Sequence, residues 1–161
     1  MSAVRSAADV IDALLATSAV VFETCDHEPV STIEEAKLKV PHLTVDLLKT
    51  VVFRVHQTER IVLVAVACER AVDYKKVSQQ LGCSRRALRL MPPDQVEAEL
   101  GFEIGGVGPF PVADSASVLL DAGIEPSKTI RVGGGLRTRT LALKFSDLVT
   151  VSDAHVAEVS K

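Results

Sequence analysis

Tryptophan is absent from this sequence, and aromatic residues make up only 4% of it. The shortage argues against a binding surface of stacked rings, such as proteins that bind single-stranded nucleic acid use. Hydrophobic residues nevertheless reach 47%, so an aliphatic interior is expected. The 161 residues suffice for one domain with a sizeable core, which we expect to span residues 1–161.

Cysteine is also scarce, with Cys25, Cys68 and Cys83 as the whole set and no CxxC pair. An odd number at these spacings argues against a disulfide framework or a structural zinc site and fits reduced thiols. The histidines show no metal-ligand spacing, and we expect neither a metal nor a cofactor. A basic-then-apolar leader and an apolar run of membrane-spanning length are missing as well, which predicts a cytoplasmic protein without a membrane partner.

Net positive charge is lacking too: the formal charge is −3 and the pI is near 5.8, which excludes a uniformly basic nucleic-acid binder. Basic residues are nevertheless clustered in two places. The first cluster is Lys75, Lys76, Arg85, Arg86 and Arg89, and the second is Lys128, Arg131, Arg137 and Arg139. Ordinary solvated faces are the default interpretation, and a local polyanion footprint is the alternative.

The pattern of elements predicts an α+β fold. The run Ile61–Ala67 is apolar on both faces, which is typical of a central strand. Thr32 to Glu35 has the pattern of a capping box, Asp73 is a plausible N-cap, and Ser146 is expected to cap a last short helix. Strands and helices alternate irregularly, so we predict a mixed, strongly curved sheet of six to seven strands with flanking helices.

The glycine-rich stretch from Gly101 to Pro111 is the most unusual segment. Gly105, Gly106 and Gly108 place three residues without side chains in four positions, and Pro109 then fixes the exit direction. Consecutive exposed N–H groups in such a turn form a concave site for an oxyanion, carbonyl or phosphate. A tight connection between a helix and a strand is the alternative interpretation.

Three other positions are candidates for chemistry. Lys49 stands at the start of an apolar strand, where it is either a surface lysine with a buried stem or an anchor for an anionic or carbonyl group. Cys25 and His27 stand two apart and would share a face if extended, so a nucleophile with its base is conceivable beside a merely buried cysteine. Gly133–Gly135 lacks the dinucleotide fingerprint and is either a hairpin loop or part of a site.

Taken in order, these motifs resemble the YbaK/ProX family of trans-acting aminoacyl-tRNA deacylases, which are similar to the editing domain inserted in bacterial prolyl-tRNA synthetase. The resemblance covers about Val20 to Val159. It rests on Asp26-His-Glu-Pro29, the helix from Thr32, Leu48-Lys-Thr-Val-Val52, Asp73 to Gly82, Gly105-Gly-Val-Gly-Pro109 and Val132-Gly-Gly-Gly135.

The resemblance implies hydrolysis of the ester that joins a wrong amino acid to tRNA. It implies catalytic roles for Lys49 and for the loop residues Gly105, Gly106, Val107, Gly108 and Pro109. Substrate-binding roles are implied for His27, Thr32, Gly134 and Gly135. The expected partners are mischarged tRNA and a synthetase such as prolyl-tRNA synthetase.

The sequence does not identify the amino acid that would be removed. Cys25 stands where cysteinyl-type deacylases usually carry tyrosine, and the late glycine turn continues as Leu136-Arg-Thr-Arg139. A deacylase for alanine or another small amino acid, on tRNA(Pro) or a related tRNA, fits as well as one for cysteine. A non-catalytic tRNA- or synthetase-binding module of the same fold is the alternative function.

Overall fold

The structure, a computed structural model, describes residues 5–161. These residues form five α-helices and eight strands, together with 3₁₀ turns at Pro41–Leu43 and Arg85–Ala87. The helices are α1 (Ala7–Ala16), α2 (Ile33–Lys39), α3 (Tyr74–Leu81), α4 (Pro93–Leu100) and α5 (Phe145–Ser152). The strands are β1 (Phe22–Asp26), β2 (Leu48–Val55), β3 (Ile61–Ala67), β4 (Leu88–Leu90), β5 (Ala116–Asp121), β6 (Thr129–Gly133), β7 (Arg139–Lys144) and β8 (His155–Ala157).

The strands are divided between two sheets. One has the order β1-β7-β6 and is antiparallel throughout. The other has the order β4-β2-β3-β5-β8, with antiparallel pairs on one side of β3 and parallel pairs on the other. The α+β class with mixed strand directions is confirmed, and the single sheet of six to seven strands is corrected to two sheets of three and five.

The physical reason for the correction lies in where the strands bury their apolar faces. The main core takes side chains from both sheets, for example Val52 and Leu63 from one and Val132 and Leu141 from the other. Alternating apolar residues predict a strand with one buried face, and they do not tell whether that face meets a helix or another sheet. Among the described residues, a bridge between Leu47 and Arg131 joins the two sheets.

A second core lies on the opposite face of the five-stranded sheet. There Phe53, Val62 and Val64 pack against α3 through Val77. Because β3 has a core on each side, six of its seven residues are buried, as its uninterrupted apolar run predicts.

Helix ends follow the local sequence at most positions. Thr32 and Asp73 cap α2 and α3 through side-chain oxygens, as predicted, and Gly82 ends α3 in the left-handed conformation. The cap predicted at Ser146 is wrong, because the N-cap of α5 lies two residues earlier, at Lys144. The N–H groups of Phe145 and Ser146 are bonded to the carbonyls of Lys128 and Pro126, so tertiary contacts set this boundary.

Candidate active site

A cavity of about 230 Å³ lies where β2 begins. Helix α2, the turn at Pro41–Leu43, the glycine loop after α4 and the neighbouring ends of β6 and β7 supply its walls. The predicted site residues that line it are His27, Thr32, Lys49, Gly105 and Val107. The structure thus brings together five residues that the sequence spreads over more than half of the chain.

Lys49 is the second residue of β2 and pairs with Val66 of β3. Its side chain is half-buried, and it makes no hydrogen bond or ion pair with any group in residues 5–161. An ammonium group without a partner in a cavity wall attracts an anionic or carbonyl oxygen. Lys49 is therefore the main source of positive charge in the lining.

The first glycine loop contributes only part of its backbone to the cavity. The N–H of Gly106 donates to the carbonyl of Glu103 at 2.9 Å, so it is already used within the loop. The N–H groups of Gly105 and Val107 donate to no acceptor in residues 5–161, and both residues line the cavity. Gly108 and Pro109 lie outside the lining. Among the lining residues of this loop, the N–H groups without an acceptor in residues 5–161 are thus those of Gly105 and Val107.

The two glycine segments are interlocked. The N–H of Gly135 donates to the carbonyl of Gly106 at 2.7 Å, and a Cβ on Gly108 would lie 1.9 Å from the carbonyl oxygen of Gly133. Gly134 and Gly135 lie outside the cavity lining, whereas their neighbour Gly133 is part of it. The late glycine turn therefore supports the first loop from behind.

Arg139 holds the late glycine turn to the rest of the fold. Its Nε donates to the carbonyl of Gly134 at 2.9 Å, and its guanidinium forms an ion pair with Asp12 of α1 at 2.8 Å. Only 11% of the Arg139 side chain is exposed, but 58% of Asp12 is, so the bond to Gly134 is better shielded from water than the ion pair. A residue of the second basic cluster is thus structural.

His27 is held at both ring nitrogens. Nδ1 lies 2.8 Å from the carbonyl oxygen of Glu28, and Nε2 lies 3.0 Å from the hydroxyl of Thr140. Because a carbonyl can only accept, Nδ1 donates to Glu28, and Nε2 is paired with the Thr140 hydroxyl. The ring is thereby fixed against the cavity, with no free nitrogen in this arrangement to accept a proton from a ligand.

Thr32 places α2 over the cavity. Its hydroxyl oxygen accepts the N–H of Glu35 at 3.0 Å, and the Glu35 carboxylate in turn accepts the N–H of Ser31 at 2.7 Å. The Ser31 N–H bond, with the nearby charge of Lys39, lowers the pKa of Glu35. The predicted capping box is thus present, with the carboxylate reaching Ser31 instead of Thr32 itself.

Several polar lining residues were not singled out from the sequence. They are Ser31, Thr44, Thr50 and Thr140. Thr50 is the most informative, because its hydroxyl oxygen is buried and has no hydrogen-bond partner in residues 5–161. Its position next to Lys49 was the sequence feature that could have indicated a place in the site.

The Cys25–His27 couple is not assembled. Cys25 packs against Val30, Ala36, Val40 and Leu43, does not line the cavity, and makes no hydrogen bond to His27. Cys68 lies near the start of β2, where its N–H donates to Leu47. Burial, reinforced by the carboxylate of Glu69, raises the pKa of the Cys68 thiol. Neither thiol lines the cavity, and the raised pKa of Cys68 disfavours its nucleophilic thiolate form.

Within residues 5–161, no group of three His, Cys, Asp or Glu side chains is placed to hold a metal ion. The helices of the same range include none long and apolar enough to cross a membrane.

Comparison with known proteins agrees with this architecture. A family model described as the aminoacyl-tRNA editing domain matches residues 27–151. The chain belongs to this family. The match spans α2, the strand β2 with Lys49, and both glycine segments, so the resemblance inferred from these motifs is confirmed. The chain is thus an aminoacyl-tRNA editing domain of the YbaK type.

Relatives of this editing domain are distant in sequence. An uncharacterized protein of Bacillus subtilis (strain 168), YwhH, is 28% identical over 135 residues, covering 84% of this chain and 81% of its own. The crystal structure of hypothetical protein APE2540 has a TM-score of 0.80 at 19% identity and covers 94% of this chain and 99% of its own. A candidate trans-editing enzyme for prolyl tRNA synthetase has a TM-score of 0.73 at 23% identity, with 98% of each chain covered. The last two likenesses show that the fold is shared.

Proposed function

We propose that this editing domain is an aminoacyl-tRNA deacylase, a single domain acting in trans on the ester of mischarged tRNA. The proposed substrate carries a small amino acid such as alanine or cysteine on tRNA(Pro) or a related tRNA. One observation carries the proposal: the unpaired ammonium of Lys49 shares a cavity with the unpaired N–H groups of Gly105 and Val107. A charged-tRNA ester needs these two elements, an anchor for its oxygens and donors for a developing oxyanion.

The proposed reaction is a direct hydrolysis. Water attacks the ester carbonyl carbon, and the negative charge that forms on the carbonyl oxygen is held by the N–H groups of Gly105 and Val107. The bond to the ribose oxygen then breaks, and a proton originating from the water passes to that oxygen. The products are the free amino acid and tRNA with its terminal hydroxyl restored. Lys49 orients the substrate through its carbonyl side or the oxygens of the terminal adenosine.

The proton acceptor in this scheme comes from the substrate. His27 has both nitrogens bonded to the protein, so we assign it to the cavity wall and to substrate contact. The ribose 2′-hydroxyl or the amino group of the substrate lies next to the ester and can assist the water. The buried hydroxyl of Thr50 is a further group that a bound substrate would satisfy.

The size of the cavity supports a small amino acid. A volume of about 230 Å³ must hold the aminoacyl group and part of the terminal adenosine. Its apolar side is formed by Val30, Ala36, Val40 and Leu43, which would pack against a short side chain. One methylene group in such a pocket discriminates by roughly 1–3 kcal/mol, so neighbouring amino acids should be separated incompletely.

The partners follow from the substrate. One of the similar structures is a candidate trans-editing enzyme for prolyl tRNA synthetase, so tRNA(Pro) and prolyl-tRNA synthetase are the first partners to test. Because charged tRNA is consumed in translation, the proposed activity belongs in the cytoplasm. Gly106, Gly108 and Pro109 shape the loop in this scheme, and Gly134 and Gly135 support it.

The test is a deacylation assay on a panel of charged tRNAs that includes alanyl-, cysteinyl- and prolyl-tRNA(Pro). Release of alanine or cysteine with prolyl-tRNA(Pro) left intact would support the proposal. Binding of these tRNAs without release of any amino acid would contradict it and favour a non-catalytic tRNA-binding module. Binding to prolyl-tRNA synthetase alone would favour the synthetase-binding form of that module.

A further inference from the structure

A set of exposed cations surrounds α3 on the outer side of the five-stranded sheet. Its members are Arg60, Lys75, Arg85 and Arg86, called here the α3 patch. None of them forms an ion pair with an acidic side chain in residues 5–161. Two other members of the cluster seen in the sequence lie outside this definition: Lys76 is paired with Glu158, and Arg89 is opposite Arg54 on the other face of the sheet. On a chain of net charge −3, four uncompensated cations in one area form a distinct surface.

Contacts with neutral groups hold two of these arginines in place. The guanidinium of Arg85 lies 4.5 Å from the ring centre of Tyr74. Arg60 donates to the carbonyl of Leu81 at 3.1 Å. These partners order the side chains without neutralising their charge. Preordered guanidinium groups lose less side-chain entropy when they bind phosphate.

The α3 patch and Lys49 belong to the same face of the five-stranded sheet. Side chains alternate along a strand, so Lys49 shares its face with Val51 and Phe53. Phe53 packs edge-on against Tyr74, with ring centres 5.0 Å apart, and Tyr74 in turn supports Arg85. The patch therefore begins at the Phe53 end of the strand that carries Lys49.

The distance between Lys49 and the α3 patch matches a short length of nucleic acid. Four residues of strand separate Lys49 from Phe53 by roughly 13 Å. The Phe53–Tyr74 and Tyr74–Arg85 contacts continue the path from the end of this segment to the Arg85 guanidinium. At roughly 3.4 Å per stacked nucleotide, the strand segment alone corresponds to about four nucleotides from the terminal adenosine.

We propose that the α3 patch binds the phosphate backbone of the tRNA acceptor end while the charged 3′ terminus occupies the cavity beside Lys49. This inference rests on the proposed function for the position of the terminus. The contacts are to phosphates, so they supply affinity and orientation without reading sequence. The patch makes the enzyme favour a full tRNA over a short aminoacyl ester.

The decisive experiment compares an Arg85→Gln/Arg86→Gln protein with a charge-matched control, Arg5→Gln/Lys144→Gln. Both control residues are exposed and lie outside the patch. Affinity for uncharged tRNA(Pro) is measured as a function of salt, with circular dichroism to verify folding. The patch variant should bind at least about tenfold more weakly at physiological salt, with a log–log salt slope shallower by about 1.4–1.8 than that of the unmodified protein. The control should retain most of the affinity.

Hydrolysis provides the second measurement. With alanyl-tRNA(Pro), the patch variant should show a raised KM and an unchanged kcat, whereas the alanyl ester of the trinucleotide CCA should be cleaved at the rate of the unmodified protein. Equal tRNA affinity in patch and control variants would overturn the inference, as would equal losses on tRNA and trinucleotide.

The uncharged-tRNA measurement separates this inference from the proposed function. If no ester is hydrolysed but binding still depends on the patch, only the deacylase proposal fails. If hydrolysis is present and binding is insensitive to the patch, only the inference fails. Loss of binding to prolyl-tRNA synthetase with unchanged tRNA affinity would assign the patch to an acidic protein surface and overturn the inference.

Discussion

The Nε2 atom of His27 lies 3.0 Å from the hydroxyl oxygen of Thr140, although the two residues are 113 positions apart in the chain. The other ring nitrogen of His27 is bonded to the carbonyl of Glu28. A histidine held on both sides is a positioned wall of the cavity. The same bond ties the end of β1 to β7, so it links cavity shape to the pairing of the three-stranded sheet.

Thr140→Val should destabilise the protein by about 1–2 kcal/mol, because the buried hydroxyl is lost and Nε2 of His27 loses its partner. Urea unfolding measures the difference. Thr140→Ser is the matched control, since it keeps the hydroxyl, and it should lose less than the valine variant. Equal stability of both variants would show that the hydrogen bond contributes nothing.

Lys49→Ala should lower kcat/KM for the best mischarged tRNA by roughly 100-fold, because the ester is no longer held in a reactive orientation. The fold should persist, because the side chain makes no bond to residues 5–161. Lys144→Ala removes an exposed lysine elsewhere and should leave the rate unchanged. A Lys49→Ala protein with full activity would exclude the proposed role.

Gly105→Ala should cost clearly more stability than Gly82→Ala. Both glycines have positive φ, so both variants share the backbone strain of a left-handed residue. A Cβ at Gly105 would lie 2.0 Å from the carbonyl oxygen of Val30, whereas a Cβ at Gly82 meets nothing within 4 Å. The added clash should cost about 1–3 kcal/mol in thermal or urea unfolding. A Gly105→Ala protein as stable as Gly82→Ala would mean that the loop is loosely packed.

Cys25→Ala should retain the deacylation rate, because the thiol lies outside the cavity lining and is not bonded to His27. Cys83→Ala, which alters another half-buried cysteine, is the control. Both rates are measured on the same mischarged tRNA, with folding verified by circular dichroism. A folded Cys25→Ala protein without activity would revive the thiol mechanism.

Acid should weaken the cap of α2. The pKa of Glu35 is lowered below its ordinary value of 4.5, first by the bond from the Ser31 N–H and then by Lys39. A carboxylate with a lowered pKa stabilises the folded state above the unfolded value, and this contribution is lost as the pH falls through the folded value. Glu35→Gln should therefore be less stable than the parent near neutral pH, and the gap should close below pH 4.5. A gap that is constant across this range would contradict the charge effect.

Local features of the chain were predictable because they depend on neighbouring residues. The caps at Thr32 and Asp73 and the bounds of β3 match the sequence-based prediction. The number of sheets did not match the prediction, since strands with one apolar face pair equally well in one sheet or two. Ser146 was expected to cap α5, but the N–H groups of Phe145 and Ser146 donate to the distant carbonyls of Lys128 and Pro126, and the helix begins at Phe145.

For the candidate site, the sequence by itself determined the parts: a lysine at the start of an apolar strand, glycines at close spacing and a capped helix nearby. The tertiary structure decided how these parts act, because their partners are distant in the chain. In the folded chain the N–H of Gly106 is bonded inside the loop, and Gly108 packs against Gly133. Lys49 has no ion-pair partner in residues 5–161. These contacts depend on how the two sheets pack face to face. That packing brings together residues that are far apart in the chain, so their contacts cannot be predicted from the local sequence.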